Sequence, residues 1–73
     1  MDKLDLHGIR HSAADDKIRV FLNFVELPCR IITGNSRAMK NIVASIVAEY
    51  GWCCQESIAH NYGTLIVSEK EII

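Results

Sequence analysis

The segment at residues 29–33 constrains the fold more than any other part of the sequence. Its five residues, CRIIT, are mostly apolar and partly β-branched, and they lie between Pro28 and Gly34. A segment so short between two helix breakers is typical of a strand. Helical patterns flank it on both sides, so the sequence predicts an α/β protein.

The first helical pattern precedes this strand and predicts a helix over residues 13–26. Ser12 fits the N-cap position, with Asp15 at the third helical position, and Pro28 ends the pattern. Apolar residues recur every three or four positions and predict one buried stripe: Ala14, Ile18, Phe21, Leu22 and Val25.

The second helical pattern follows the strand and is the cleaner of the two. Asn35 or Ser36 fits its N-cap, and Gly51 fits the position just after its end. Its apolar stripe also predicts a core-facing surface: Met39, Ile42, Val43, Ile46, Val47 and Tyr50.

Three more segments read as strands. Residues 4–7 alternate apolar and polar side chains and end at Gly8, residues 52–59 and 64–67 fit two further strands, and residues 60–63 offer a turn between these two. The sequence predicts a βαβαββ order within one domain, residues 1–73. Right-handed crossovers would place both helices on one face of a four-stranded mixed sheet, giving a two-layer sandwich.

Composition indicates a globular protein. The chain is 49% hydrophobic and 23% charged, and it has no apolar run near the roughly 20 residues that cross a bilayer. We expect no membrane partner. The amino-terminal residues do not resemble a secretory signal, which predicts a cytoplasmic location. The cysteines, Cys29, Cys53 and Cys54, have no regular metal or disulfide spacing and fit small core positions.

Polar residues end both strands that precede a helix. Asp5 and His7 share one face of the first strand, which Gly8 ends, and Thr33 and Gly34 end the second. The crossover makes these strands parallel, and ligands of open α/β sheets bind beyond the carboxyl ends of parallel strands. The two turns are therefore predicted to converge at one edge of the sheet.

The second turn leads into a helix, where unpaired N–H groups attract anions such as phosphate. Asn35 and Ser36 add polar side chains. The net charge of −1 requires that nucleic-acid binding depend on a local patch. Basic residues do follow both turns: Arg10 and His11 after the first, Arg37 and Lys40 after the second.

Three motifs together resemble the Smr domain family of small MutS-related domains: LDLHG in the first strand, IITGNS ending the second, and NYGTLIV leading into the last. The resemblance spans nearly the whole chain. It implies the fold of the carboxy-terminal domain of a bacterial initiation factor, with the last strand inside the sheet. It also implies nucleic-acid binding, with DNA nicking or RNA cleavage as the activity.

The same resemblance implies roles for particular residues. Asp5 and His7 take the places of the family's motif acid and histidine, and Thr33, Gly34 and Ser36 take those of its Thr-Gly-x-Gly loop. Ser36 departs from the family, which usually has a second glycine there. The longer, often basic loop that many relatives carry after this motif is also missing.

The site suits phosphodiester chemistry. Histidine exchanges protons near neutral pH, so His7 could move a proton, while Asp5 could orient it or hold a divalent ion such as Mg²⁺ or Mn²⁺. In RNA the 2′-hydroxyl supplies a nucleophile, so no metal is required. Tyr62 could stack on a base. Purely structural roles for Asp5, His7 and Tyr62 remain open.

Three functions stay open at this point. The first is an endonuclease that cleaves RNA or nicks DNA, and the second is a nucleic-acid-binding module without catalysis. The third is a small protein-interaction adaptor, or a homodimer, that uses the uncovered sheet face or an edge strand. The bound nucleic acid, RNA or DNA, also stays open.

Overall fold

The structure is a computed structural model that describes residues 1–60 and 63–70, with the backbone alone for His60. Its elements follow one another in the predicted βαβαββ order, which confirms the α/β fold. They are β1 Lys3–Asp5, α1 His11–Phe24, β2 Cys29–Ile32, α2 Arg37–Glu49, β3 Trp52–Glu56, a 3₁₀ turn at Ile58–His60, and β4 Thr64–Glu69.

The four strands form one mixed sheet in the order β1-β2-β4-β3. β1 runs parallel to β2, and β4 runs antiparallel to both β2 and β3. The last strand of the chain therefore lies inside the sheet, and β1 and β3 form its two edges. Leu4, Ile31 and Leu65 are aligned across the first three strands of this order, so their side chains share one face.

Both helices pack on that face. The buried residues of α1 and α2 join the alternate residues of the strands in a single core, while the opposite sheet face bears Asp5, Arg30 and Ile66. The fully enclosed positions come from every layer of the sandwich: Leu6, Ala14, Ile18, Leu22, Cys29, Ile31, Met39, Val43, Ile46, Val47, Leu65 and Val67.

The first helix begins earlier than the sequence predicted, and the assignment of Ser12 as its N-cap is wrong. Arg10 is the N-cap, with extended backbone angles, and α1 runs from His11 to Phe24. The turn after β1 is tight, since the N–H of Ile9 donates to the carbonyl oxygen of Leu6 at 3.0 Å. The helix therefore starts almost as soon as the strand ends.

The strand lengths also differ from the prediction, because they are set by the hydrogen-bonded pairing between neighbouring strands. β1 ends at Asp5 and β2 at Ile32, where the turns begin. β3 stops at Glu56 instead of continuing to Ala59, and β4 extends beyond Val67 to Glu69. The two strands pair from Trp52 opposite Glu69 to Glu56 opposite Leu65, so each has the length that its partner can satisfy.

The cysteines divide into three environments. Cys29 is buried as predicted, and its burial raises the pKa of its thiol to about 11. Cys54 is half-buried, and burial raises the pKa of its thiol as well. The prediction of a core position was wrong for Cys53, which points to the open sheet face. Neither α1 nor α2, the two helices found within residues 1–60 and 63–70, is long and apolar enough to cross a membrane.

Candidate functional site

The two glycine-containing turns lie against each other at the carboxyl ends of β1 and β2. The imidazole of His7 is the point of contact, because a Cβ placed on Gly34 would lie 3.1 Å from His7 Cδ2 and 4.0 Å from Nε2. Gly34 has a φ of 66°, a conformation that glycine adopts without steric cost. A side chain at position 34 would therefore strain the backbone and displace the histidine ring.

The first turn is held by Asp5. Its Oδ1 accepts a hydrogen bond from the backbone N–H of His7 at 2.9 Å, and Gly8 follows with a φ of 81°. Asp5 and His7 are both exposed. The carboxylate thus fixes the backbone from which the imidazole projects, so the structural role that was open for Asp5 is present in the structure.

The second turn is tied to the loop before β4. The backbone N–H groups of Thr33 and Gly34 both donate to the carbonyl oxygen of Gly63, at 2.9 and 3.1 Å. The Thr33 hydroxyl donates to the carbonyl oxygen of Gly34 at 2.9 Å, and Thr33 is buried. These N–H and hydroxyl groups all donate to carbonyl oxygens of the chain itself. Thr33 therefore stabilises the second turn.

Ser36 caps the second helix, as predicted for Asn35 or Ser36. Its Oγ accepts a hydrogen bond from the N–H of Met39 at 3.1 Å. Asn35 is exposed beside it. One of the four N–H groups left without a helical partner at the start of α2 is therefore satisfied by the chain.

The two cations at the start of α2 face an acid. Lys40 Nζ donates to Glu56 Oε1 at 2.9 Å, with the Lys40 side chain only 8% exposed, and Arg37 lies 3.5 Å from the same oxygen. The hydrogen bond from Lys40 lowers the pKa of the Glu56 carboxyl, and the charge of Arg37 lowers it further. Glu56 therefore offsets much of the positive charge predicted to meet phosphate here.

The start of the first helix is different. Arg10 occupies the N-cap without a side-chain hydrogen bond to the helix, and His11 is the first helical residue. Both are exposed. Since β1 and β2 are parallel neighbours, α1 and α2 begin at the same edge of the sheet. Of the two helix starts, that of α1, beside His7 and Gly8, makes fewer side-chain bonds within the chain.

Glu56 and Gly63 were not predicted as site residues, although Gly63 was placed in the turn before the last strand. Strand alternation places Glu56 on the same face as Trp52 and Cys54, and an acid at such a position is a signal for a buried cation. The part played by Gly63 has no local signal, because its carbonyl oxygen accepts from residues about 30 positions away in the chain.

Two predicted contributions lack support from the site. Among the described residues, no three histidine, cysteine, aspartate or glutamate side chains lie close enough to hold a metal ion. Asp5 and His7 would be two ligands at most, and Asp5 Oδ1 already accepts from a backbone N–H. Tyr62, predicted to stack on a base, lies outside the described residues.

No protein-family model matches the chain, and comparisons with curated proteins and with solved structures give no match either.

Proposed function

We propose that this chain is an Smr-like nucleic-acid-binding protein that cleaves the phosphodiester backbone of RNA or nicks DNA at the edge where β1 and β2 end. The observation that carries the proposal is the contact between His7 and Gly34. It joins the two motifs that resemble the Smr family in a single exposed site. A general acid or base must lie at such a site to reach the scissile bond.

The phosphate binds at the start of α1 in this proposal. The start of α1 has no side-chain cap and carries the partial positive charge of the helix dipole, Arg10 adds a cationic side chain, and His11 adds an imidazole. The corresponding position on α2 has its serine cap in place and Glu56 beside its cations. Arg37 and Lys40 thus contribute less to phosphate binding than Arg10, although the sequence pattern alone does not rank them.

His7 transfers the proton. With RNA as the substrate, it removes the proton of the 2′-hydroxyl as that oxygen attacks the adjacent phosphorus; the bond to the 5′-oxygen breaks, a 2′,3′-cyclic phosphate forms, and the departing 5′-oxygen takes a proton from water. Arg10 faces the non-bridging oxygens and stabilises their growing charge. Asp5 acts as a positioning residue, since its carboxylate holds the backbone N–H of His7.

Cleavage of labelled RNA and DNA by purified protein tests the proposal. We expect His7→Ala to abolish product formation and Asp5→Ala to reduce it. Asp5→Asn separates the two roles of this residue, because its amide oxygen still accepts the hydrogen bond from His7. A positioning role predicts that Asp5→Asn keeps most of the activity, whereas direct use of the carboxylate charge predicts its loss.

Binding is measured with the same substrates over a range of salt concentrations. Arg10→Ala should weaken binding and lower the slope of log affinity against log salt by about one. Lys17→Ala removes a matched cation from an exposed position further along α1 and should leave the slope unchanged. Equal cleavage by wild type and His7→Ala rejects the nuclease. If Arg10→Ala and Lys17→Ala give the same salt slope, phosphate binding at the start of α1 is rejected.

Binding without cleavage is the second candidate. The hydrogen bond from Met39 N–H to Ser36 Oγ favours it, because this oxygen stabilises the helix where the family's glycine would leave the helix start more open to phosphate. In that case wild type and His7→Ala bind nucleic acid with salt-sensitive affinity and neither gives product. Ser36→Gly then tests whether the departure from the family pattern limits the chemistry.

A further inference from the structure

An apolar groove runs between the free edge of β1 and the outer side of α1. It has a volume of about 460 Å³, its apolar lining comes from Leu4, Ile9, Val20 and Phe21, and the charged residues Asp5, Asp16 and Lys17 also line it. Phe24 continues this surface and is 86% exposed, and Val20 is 60% exposed. Large apolar side chains clustered in this way are typical of an interface.

Within residues 1–60 and 63–70, the edge strand β1 pairs with β2 alone, so the backbone groups on its outer side can pair with another strand. The bonds to β2 use the N–H of Leu6, which donates to Ile32, and the carbonyl of Asp2, which accepts from Arg30. Backbone N–H and carbonyl groups point to alternate sides of a strand. Those of the even-numbered residues therefore point towards β2, and those of Lys3 and Asp5 point away from the sheet. An added strand would bond to those two residues.

From this arrangement we infer that the occupant of the groove is a second copy of this chain, which pairs its β1 antiparallel to the first across a two-fold axis at Leu4. This register places Lys3 of each copy opposite Asp5 of the other. Both are hydrogen-bonded pairs in an antiparallel ladder, so four backbone hydrogen bonds and two opposite-charge pairs form together. The sequence Lys-Leu-Asp is thus complementary to itself.

The helix layer fits the same register. The midpoint between β1 and β2 in one copy lies two strand spacings, about 9.6 Å, from the same midpoint in the other copy. Helices that pack on each other lie about 8–10 Å apart, so two α1 helices placed over these midpoints meet side by side. Val20 and Phe24 then lie in the dimer interface, which explains their exposure in the single chain.

The other edge of the sheet lacks these properties. An antiparallel pairing of β3 with itself about Cys54 would place Cys53 opposite Gln55 and Trp52 opposite Glu56. It offers no opposite-charge pair, and the groove beside it is lined by polar residues such as Ser68 and Glu69 as well as by cysteines. The self-complementary edge is therefore β1.

Sedimentation analysis of the free protein from micromolar to millimolar concentration tests this inference without nucleic acid, so its result is independent of the proposed function. We expect a monomer–dimer equilibrium. Lys3→Glu places like charges opposite each other and should raise the dimer dissociation constant by about tenfold or more. The double variant Lys3→Glu, Asp5→Lys restores opposite charges and should recover dimerisation.

The apolar half of the interface has a matched control. Phe24→Asp and Ile58→Asp each replace an exposed apolar side chain, 86% and 73% accessible, and neither should affect folding of the single chain. Only Phe24→Asp should dissociate the dimer, and far-ultraviolet circular dichroism checks that both variants fold. A strict monomer at millimolar concentration overturns the inference, as does equal dimerisation of wild type, Lys3→Glu and Phe24→Asp.

Discussion

At the scale of single residues, the contact between His7 and Gly34 joins the two turns of the candidate site. A glycine with a φ of 66° allows the imidazole to lie directly on the backbone of the second turn. Asp5 fixes the backbone that carries the same imidazole, because its carboxylate accepts a hydrogen bond from the N–H of His7. The position of one side chain thus depends on two neighbours with unrelated physical roles.

Gly34→Ala tests this contact, with Gly51→Ala as its control. Both positions have positive φ, 66° and 76°, so alanine should lower the free energy of unfolding by about 1 kcal/mol at each through backbone strain. Only at position 34 does the new methyl group meet His7, because a Cβ at Gly51 has no neighbour within 4 Å. Proton NMR should therefore show shifted His7 ring signals in Gly34→Ala alone. Unchanged His7 signals in both variants would contradict the contact.

At the scale of elements, the two helices begin in different ways although both follow a strand and a glycine turn. Ser36 caps α2 with its hydroxyl oxygen, whereas Arg10 at the start of α1 makes no such bond. A cap stabilises a helix and occupies one of the N–H groups that could bind an anion. The uncapped α1 is the start that keeps this capacity.

Ser36→Ala should lower the free energy of unfolding by about 1 kcal/mol, because the N–H of Met39 loses its acceptor. Ser36→Gly should cost only a few tenths of that, about 0.3 kcal/mol, since water can reach the freed N–H group beside glycine. Urea unfolding followed by circular dichroism gives both values. A loss for Ser36→Gly as large as that for Ser36→Ala would show that the hydroxyl has a role beyond capping.

At the scale of the whole molecule, Lys40 and Glu56 connect the helix layer to the edge of the sheet. Lys40 is almost fully buried in α2, and its ammonium group bonds Glu56 at the end of β3. A buried cation depends on its partner, because water no longer solvates it. Arg19 and Glu49 form a second pair between α1 and α2, at 3.0 Å, but both side chains are well exposed.

Glu56→Gln should therefore lower the free energy of unfolding at neutral pH more than Glu49→Gln does. The pKa of Glu56 is lowered in the folded protein by the hydrogen bond from Lys40. Its carboxylate is thus fully stabilising above its ordinary, unfolded pKa, and the stabilisation is lost as the pH falls through the lowered, folded pKa.

Chemical unfolding at a series of pH values, from neutral to strongly acidic, checks this sign. The difference in stability between wild type and Glu56→Gln should shrink as the solution becomes acidic. A difference that stays constant, or one no larger than that of Glu49→Gln at neutral pH, would contradict a stabilising ion pair between Lys40 and Glu56.

Much of the fold could be predicted because its signals are local. The apolar stripe from Met39 to Val47 and the glycine at position 51 predict α2 almost to the residue. The boundary of α1 could not be predicted in this way, since Ser12 is a good N-cap by residue type. The tight turn after Leu6 starts the helix at His11 before the serine is reached.

The candidate site, like the fold, has one part set by local sequence signals and another set by contacts between distant residues. The element order, the two glycine turns and the residue types at the end of each strand follow from the sequence, because periodicity and turn chemistry act over a few neighbouring residues. The contact of His7 with Gly34, the hydrogen bonds from the second turn to Gly63 and the pairing of Glu56 with Lys40 arise only in the folded chain. Those contacts join residues far apart in the chain, and their energies depend on distances and burial that exist only once the sheet and the helices have packed.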